Sequence, residues 1–206
     1  MATNAAVSPD MYHGTVDKLT ETLAAFGWRV VKYGSEYLPV EVRHALQLCY
    51  NITNLYVRTR PDLLVSRDSL FETFLVECKD WTCMGDQTGN LTVEAIPWFI
   101  ARHLRKMKIR YLYAVENREF GFRLFRPDAP PFCEICTIFL PNLHKDVFKK
   151  EVLAGLKTVF PKIPFKLVEI KHANLGASQD PFILIPSKML AESGRPLEIF
   201  AKWGWR

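Results

Sequence analysis

Several features are missing from this sequence, and the missing features narrow the class of protein. No apolar stretch is long enough to span a bilayer, and the first residues, MATNAAVSPD, lack the basic and apolar segments of a secretion signal. No internal repeat and no low-complexity segment is present. We therefore expect an intracellular, globular protein, cytoplasmic or nuclear, that does not insert into a membrane.

Cysteine is scarce and odd in number, which argues against a disulfide framework. The five cysteines are Cys49, Cys78, Cys83, Cys133 and Cys136. Without a secretion signal, an odd count favours reduced thiols. Cys133 and Cys136 have the spacing of half a zinc site, but no second CxxC and no suitable histidine pair accompanies them. We predict that the cysteines serve packing.

The composition is that of an ordinary folded protein. The chain has 206 residues, of which 49% are hydrophobic and 24% charged, enough for one domain with a substantial core. The net charge of +5 permits binding to nucleic acid but does not establish it.

The most informative segment runs RPDLLVSRDSLFETFLVECK, from Arg60 to Lys79. Its two apolar runs fit an antiparallel hairpin that sets Asp62 opposite Glu77, with apolar residues facing each other from there to the loop. This register leaves Arg67 to Glu72 as the connecting loop. Glu77 and Lys79 project to one face of the second strand, because side chains two apart share a face.

Three charged side chains therefore converge at one end of the predicted sheet. Asp62 and Glu77 supply hard oxygen ligands of the kind that Mg²⁺ prefers, and Lys79 can orient or polarise a water molecule. Pro-Asp is also a common turn dipeptide, and Glu-x-Lys on a strand is often only a solvated pair. Against that alternative, the residues before Glu77 are apolar on both faces, which indicates a buried central strand.

Pro61, Asp62, Glu77, Cys78 and Lys79 resemble the motif of the PD-(D/E)xK nuclease superfamily, which includes restriction endonucleases and archaeal Holliday-junction resolvases. The resemblance covers roughly the first 125 residues. It implies metal-dependent hydrolysis of phosphodiester bonds in nucleic acid, with DNA favoured over RNA, Mg²⁺ as cofactor and Mn²⁺ as a substitute. By the same resemblance, Asp62, Glu77 and the backbone carbonyl of Cys78 bind the metal, and Lys79 positions the attacking water. A homodimer is compatible with it.

Many members of the superfamily add a carboxylate from the first helix. That helix is predicted to begin at Pro9 and to stop at Gly27, with Val16, Leu19, Leu23 and Phe26 as its buried stripe. Asp17 and Glu21 lie beside the stripe. By analogy with the resolvases, in which an acid lies about three helical turns before a Gly-aromatic pair, the distance to Gly27-Trp28 favours Asp17. The longer side chain favours Glu21. We choose Glu21 for the catalytic site, with Asp17 as the rival.

A second helix of interest is predicted within Thr92 to Lys108. Ile100, Leu104 and Met107 form its buried face. The opposite face carries Arg102, Arg105 and Lys106, which we predict to contact nucleic-acid phosphates, although a solvated helix surface explains such residues equally well.

The order helix, strand, hairpin, helix, strand predicts an α/β fold with a restriction-endonuclease-like core, in which helices flank a mixed central sheet. PDAPP at 127–131 is the best boundary in the chain. We predict a nuclease-like core over 1–126 and a C-terminal α/β extension over 127–206, packed on the core as one domain. No Gln-x-x-x-Tyr motif of the RecB-like branch follows Lys79.

Two other functions are compatible with these residues. One is a non-catalytic nucleic-acid-binding or assembly subunit that retains the nuclease fold, although such proteins usually lack one motif residue. The other is a domain without nucleic-acid function, in which Asp62, Glu77 and Lys79 form a structural ion-pair cluster.

Overall fold

The structure is a computed structural model that describes residues 9–47, 59–80, 89–117, 119–141, 166–170 and 181–205, with single positions at 57, 154 and 157. Among these residues, no helix is both long and apolar enough to cross a membrane. Cys49 and Cys83, which we predicted to pack in the core, lie outside the described residues. Cys78 is fully buried, and Cys133 and Cys136 are half-buried free thiols.

The described residues form five α-helices and ten β-strands. The helices are α1 (Pro9–Ala25), α2 (Val40–Gln47), α3 (Ala95–Lys106), α4 (Ser187–Ser193) and α5 (Leu197–Trp203). The strands are β1 (Arg29–Lys32), β2 (Leu63–Arg67), β3 (Glu72–Asp80), β4 (Asn90–Glu94), β5 (Tyr111–Asn117), β6 (Gly121–Phe125), β7 (Thr137–Pro141), β8 (Lys166–Ile170), β9 (Phe182–Pro186) and β10 (Arg195–Pro196).

The main sheet is mixed and has the strand order β1-β2-β3-β5-β6-β10. β2 pairs antiparallel with β1 and with β3, whereas β3 and β5 are parallel. Parallel neighbours need a crossover connection, and here it contains α3. The predicted fold class, a mixed central sheet flanked by helices, is confirmed.

Each face of the main sheet is covered by a different helix. Phe74, Val76 and Cys78 of β3 lie in one apolar core with the buried stripe of α1. Leu75 and the alternate residues of β5 pack against the other core, which contains the buried residues of α3. This alternation follows from the pleat of a strand, whose successive side chains point to opposite faces.

The hairpin has the predicted register. Leu63 pairs with Val76, Leu64 with Leu75, and Val65 with Phe74, so that Asp62 comes opposite Glu77. The predicted loop was too long, because the ladder continues to the pair Arg67 and Glu72 and the chain turns through Asp68–Leu70 and Phe71. Phe71 takes the left-handed backbone conformation that reverses the chain.

Two predicted helices end before the last residue of their predicted buried stripe. α1 ends at Ala25, so Phe26 leaves the buried stripe and is 38% exposed. α3 starts at Ala95, within the predicted range and directly after the strand Asn90–Glu94, and Pro97 is tolerated in its first turn. α3 stops at Lys106, which leaves Met107, predicted to be buried, 60% exposed.

A second sheet has the strand order β4-β9-β7-β8. Its buried residues share one hydrophobic core with α3, α4 and β5 of the main sheet. Strands are exchanged across the predicted boundary at residue 126. β4 precedes that boundary but pairs with β9 of the second sheet, and β10 follows it but pairs with β6 of the main sheet. The two predicted segments are therefore joined by backbone hydrogen bonds.

Candidate active site

Asp62 is held at the start of β2 from two sides. Its Oδ2 atom accepts a hydrogen bond of 2.6 Å from the backbone N–H of Cys78. Its own carbonyl accepts the N–H groups of Tyr33 and Gly34, at 2.7 and 3.2 Å. The carboxylate is buried, and its position depends on main-chain contacts with both neighbouring strands. Such contacts preorganise a group better than contacts with flexible side chains do.

Glu77 and Lys79 share the face of β3 that points toward α3. The Nζ atom of Lys79 lies 2.8 Å from Oε1 of Glu77, and the two side chains are 5% and 8% exposed. Charged groups are rarely buried to this extent unless they are paired. The predicted convergence of Asp62, Glu77 and Lys79 at one end of the hairpin is therefore present in the structure.

The environment makes the negative charge of Glu77 costly. Burial raises the pKa of this carboxyl, Lys79 opposes the rise, and the nearby Asp62 carboxylate adds to it, for a pKa of about 8. A carboxyl with a pKa of 8 would hold its proton at neutral pH unless another cation lies beside it. A further positive charge beside this pair of acids would favour the ionised form of Glu77.

Glu94 is a site residue that the sequence analysis missed. It is the last residue of β4 and the N-cap of α3, and its Oε2 atom lies 3.4 Å from Nζ of Lys79. Its side chain is 34% exposed, so Glu94 stands between Lys79 and solvent. The sequence does contain a signal for this position. Asn90–Glu94 has apolar residues in its middle and is followed by Pro97, a pattern that fits a strand running directly into a helix.

Two tyrosines of β5 line the same face of the sheet. The hydroxyl of Tyr111 donates to Oε2 of Glu77 at 3.5 Å, and Tyr113 pairs with Glu77 in the parallel ladder. Burial, and then the charge of Glu77, raises the pKa of both tyrosines well above the ordinary value. Both are therefore neutral, and Tyr111 is a hydrogen-bond donor to the site.

The two acids of the first helix take different positions. Asp17 forms an ion pair of 2.6 Å with Lys32, at the end of β1 that lies beside Asp62. Glu21 is exposed. α1 packs on the opposite face of β3 from Glu77 and Lys79, so either acid would have to reach around the end of the sheet. The contribution of Glu21, or of its rival Asp17, stays a prediction.

The three basic residues of α3 do not form a common exposed face. Arg102 donates to the carbonyl of Ile135 at 3.1 Å, and Arg105 pairs with Asp128 at 3.0 Å. Lys106 is exposed. Two of the three side chains are thus engaged within the protein, contrary to the expected solvent-facing arrangement. Their contact with nucleic acid stays a prediction.

The donor set fits a small divalent cation held mainly by water. No group of three or more His, Cys, Asp and Glu side chains in the described part of the chain is placed to hold a metal ion. Mg²⁺, however, usually retains several water ligands and needs only one or two carboxylates. Asp62 and Glu77 supply those carboxylates, and the unfavourable environment of the Glu77 charge is one that a cation would relieve.

Comparison with known proteins adds little to this description. No family model matches the chain, and no curated protein matches it. Among solved structures, the chain is similar to Hjc of Archaeoglobus fulgidus, a Holliday junction resolvase, with 9% sequence identity and a TM-score of 0.44. The match covers 93% of this chain and 95% of the resolvase chain. A similarity at this level says nothing about activity, so a functional conclusion has to come from the residues of the site.

Proposed function

We propose that the protein is a metal-dependent endonuclease that hydrolyses phosphodiester bonds in nucleic acid, with DNA as the favoured substrate. The observation that carries this proposal is the burial of Asp62 and Glu77 side by side with one lysine. Lys79 contacts Glu77 and Glu94, and Asp62 lies near Glu77, so these three carboxylates and one ammonium group carry two net negative charges when all are ionised. A divalent cation matches that excess.

Each residue has a specific task in this proposal. Asp62 and Glu77, helped by the backbone carbonyl of Cys78, would hold Mg²⁺ or Mn²⁺, which when bound polarises the phosphate and offsets its charge. Lys79 would donate a hydrogen bond to the attacking water and hold it in line with the phosphorus atom. Glu94 would keep Lys79 oriented after Glu77 has turned to the cation. Tyr111 would hold the second oxygen of Glu77.

Two further contributions extend the proposal beyond the central residues. Glu21, or Asp17 in its place, would add a carboxylate from α1, through a metal-bound water. Lys106 would contact phosphates of the substrate along α3. Arg102 and Arg105 would do so only after releasing the Ile135 carbonyl and Asp128, respectively. Giving up the Asp128 and Ile135 contacts has a cost, so Lys106 is the residue of this face that is available as it stands.

One observation favours a second candidate function. The Lys79–Glu77 pair is short and buried, as a purely structural ion pair would be. In that case the cluster only stabilises the end of the sheet, and the domain has no nucleic-acid function. Titration with Mg²⁺ separates the two functions, because a satisfied ion pair offers no cation site.

The proposed function is tested with Asp62→Asn and Lys79→Ala. Each substitution removes transition-state stabilisation, so each should lower the cleavage rate about a hundredfold or more and leave DNA affinity nearly unchanged. Labelled linear, nicked, branched and single-stranded substrates are incubated with and without Mg²⁺ or Mn²⁺. Asp68→Asn is the matched control, since Asp68 is an exposed acid at the other end of the hairpin, paired with Arg29.

Cleavage by the wild-type protein that continues in excess chelator would rule out the metal site. Full activity in both variants would place the chemistry elsewhere. If the single variants unfold instead, the structural ion-pair function is favoured.

A further inference from the structure

Arg60 is a partly buried arginine whose charge has no acidic partner among the described residues. Its Nε atom is buried and makes no hydrogen bond. Its guanidinium group lies over the ring of Tyr33, with Cζ 3.9 Å from the ring centroid. Stacking on an aromatic ring holds a guanidinium group in place but leaves its N–H donors free for another acceptor.

Most other half-buried arginines among the described residues have protein acceptors. Arg105 and Arg126 share the carboxylate of Asp128, and Arg67 donates to the carbonyl of Ala201. Arg43 in α2 resembles Arg60, since its Nε is also buried without a partner. A buried donor that lacks an acceptor destabilises the folded protein, which suggests that the Nε atom of Arg60 serves a function.

The position of Arg60 ties it to the candidate active site. Arg60 precedes Pro61 and Asp62 in the chain, and the backbone N–H of Tyr33 holds the carbonyl of Asp62 at 2.7 Å. The same tyrosine therefore fixes Asp62 through its backbone and Arg60 through its ring. Lys32, the neighbouring cation, already pairs with Asp17 and is not available in the same way.

We propose that Arg60, held on Tyr33, binds a backbone phosphate of the nucleic acid next to Asp62. This inference rests on the proposed function and identifies where the substrate enters the site. The guanidinium fork matches two phosphate oxygens, and a side chain that is already stacked loses little conformational freedom on binding. A positive charge here also offsets the repulsion between the substrate and the acids of the site.

The binding experiment needs no cleavage. Fluorescence anisotropy measures the affinity of full-length protein for a labelled DNA duplex in the presence of EDTA over a series of salt concentrations. Arg60→Gln should weaken binding about tenfold. It should also make the plot of log affinity against log salt less steep. The expected change in slope is about 0.9, the value for one lost phosphate contact on duplex DNA.

Control variants test whether the effect of Arg60→Gln comes from a lost phosphate contact, from the change in the protein's net charge, or from the stacking of Arg60 on Tyr33. Arg29→Gln removes the same charge from the start of β1, about 13 Å from Tyr33 along an extended strand. This variant should leave the slope unchanged. Tyr33→Phe keeps the ring and should bind like the wild type. Tyr33→Leu removes the ring and should reproduce part of the Arg60→Gln loss.

The outcomes also separate this inference from the proposed function. An unchanged slope and affinity in Arg60→Gln, in a protein that cleaves DNA, overturns the phosphate site and leaves the nuclease. Reduced binding in Arg60→Gln, in a protein that cleaves no substrate with any metal, supports the phosphate site and overturns the nuclease. A wild-type protein that binds no DNA overturns both.

Discussion

Lys79 contacts two carboxylates that differ in their surroundings. Glu77 lies 2.8 Å away and is buried, whereas Glu94 lies 3.4 Å away and is partly exposed. In the proposed function Glu77 is a cation ligand, so its attraction for Lys79 falls when the cation is bound. Glu94 is then the group that keeps the ammonium in position, which makes it a positioning residue for Lys79.

Glu94→Gln should lower the cleavage rate constant about ten- to a hundredfold, the range found for groups that orient the ligands of metal sites. The KM for DNA and the Mg²⁺ concentration for half-maximal rate should not change, because Glu94 acts on Lys79 alone. Single-turnover kinetics over a range of Mg²⁺ concentrations measure the cleavage rate constant and the Mg²⁺ requirement. Steady-state kinetics measure the KM for DNA.

A double-mutant cycle makes this prediction sharper. In a Lys79→Met background, Glu94→Gln should have no further effect, because the group that it positions is gone. Glu94→Asp, which keeps the charge, should recover part of the rate. A raised Mg²⁺ requirement in Glu94→Gln would instead identify Glu94 as a metal ligand.

The Asp128 carboxylate is one of the groups that tie α3 to the segment after β6. Asp128 accepts hydrogen bonds from Arg105 of α3 at 3.0 Å and from Arg126 at 2.9 Å. Burial by itself raises the pKa of Asp128, but the hydrogen bonds and charges of the two arginines outweigh burial and lower the pKa below its ordinary value. This contact holds the helix that contributes Glu94 at its start.

Asp128→Asn should lower the free energy of unfolding by about 1 kcal/mol at neutral pH, a magnitude typical of a partly exposed ion pair. A lowered folded-state pKa stabilises the folded protein above the ordinary carboxyl pKa of about 3.9 and ceases to do so as the pH falls through the folded-state value. The difference between wild type and variant should therefore shrink as the pH falls below about 5.

Urea denaturation at several pH values measures this difference. Glu192→Gln is the control, because its pair with Lys188 is exposed on both sides and should show little effect at any pH. A difference for Asp128→Asn that does not depend on pH would mean that the carboxylate is not the group that ties α3 down.

At the scale of the whole molecule, the C-terminal segment completes the main sheet and its core. Phe200 of α5 stacks on Trp28 with ring centroids 4.9 Å apart, and the indole N–H of Trp28 donates to the carbonyl of Ala201 at 2.8 Å. The backbone N–H of Trp205 donates to Glu72, where β3 begins. The N-terminal and C-terminal parts of the chain thus share one hydrophobic core.

A fragment of residues 1–126 should therefore fail to fold cooperatively, although it contains all the predicted catalytic residues. It lacks β10 and α5, and β4 has no partner in it. Loss of the Phe200 side chain alone should lower stability by about 3–5 kcal/mol, a large part of the total for a domain of this size.

Circular dichroism and a thermal melt of the fragment provide the measurement. In the full chain, Phe200→Ala should show the large loss, whereas Trp203→Ala, with a side chain that is 59% exposed, should have a small effect. A cooperative melt of the fragment would show that the core folds by itself, in line with the domain boundary predicted at residue 126.

The sequence predicted the central part of the site because the relevant information there is local. Asp62 and Glu77 are close in sequence, and the alternation of apolar residues between them specifies one register. Glu94 was missed because its strand runs directly into a helix, and its sheet partner, Phe182, is far away in sequence. The stack of Arg60 on Tyr33 depends on the path of the intervening chain, which no periodicity in the sequence reveals.

The closing of the main sheet by β10 also has a consequence in time. During synthesis, Asp62, Glu77 and Lys79 leave the ribosome long before the residues of β10 and α5, and domains generally fold as units. The nascent chain therefore carries all three central residues of the proposed site while the apolar face of Trp28 and Phe74 still lacks its cover. A chaperone that binds exposed apolar surface would find its target in this interval, and the activity proposed for the protein would be acquired only late in its biosynthesis.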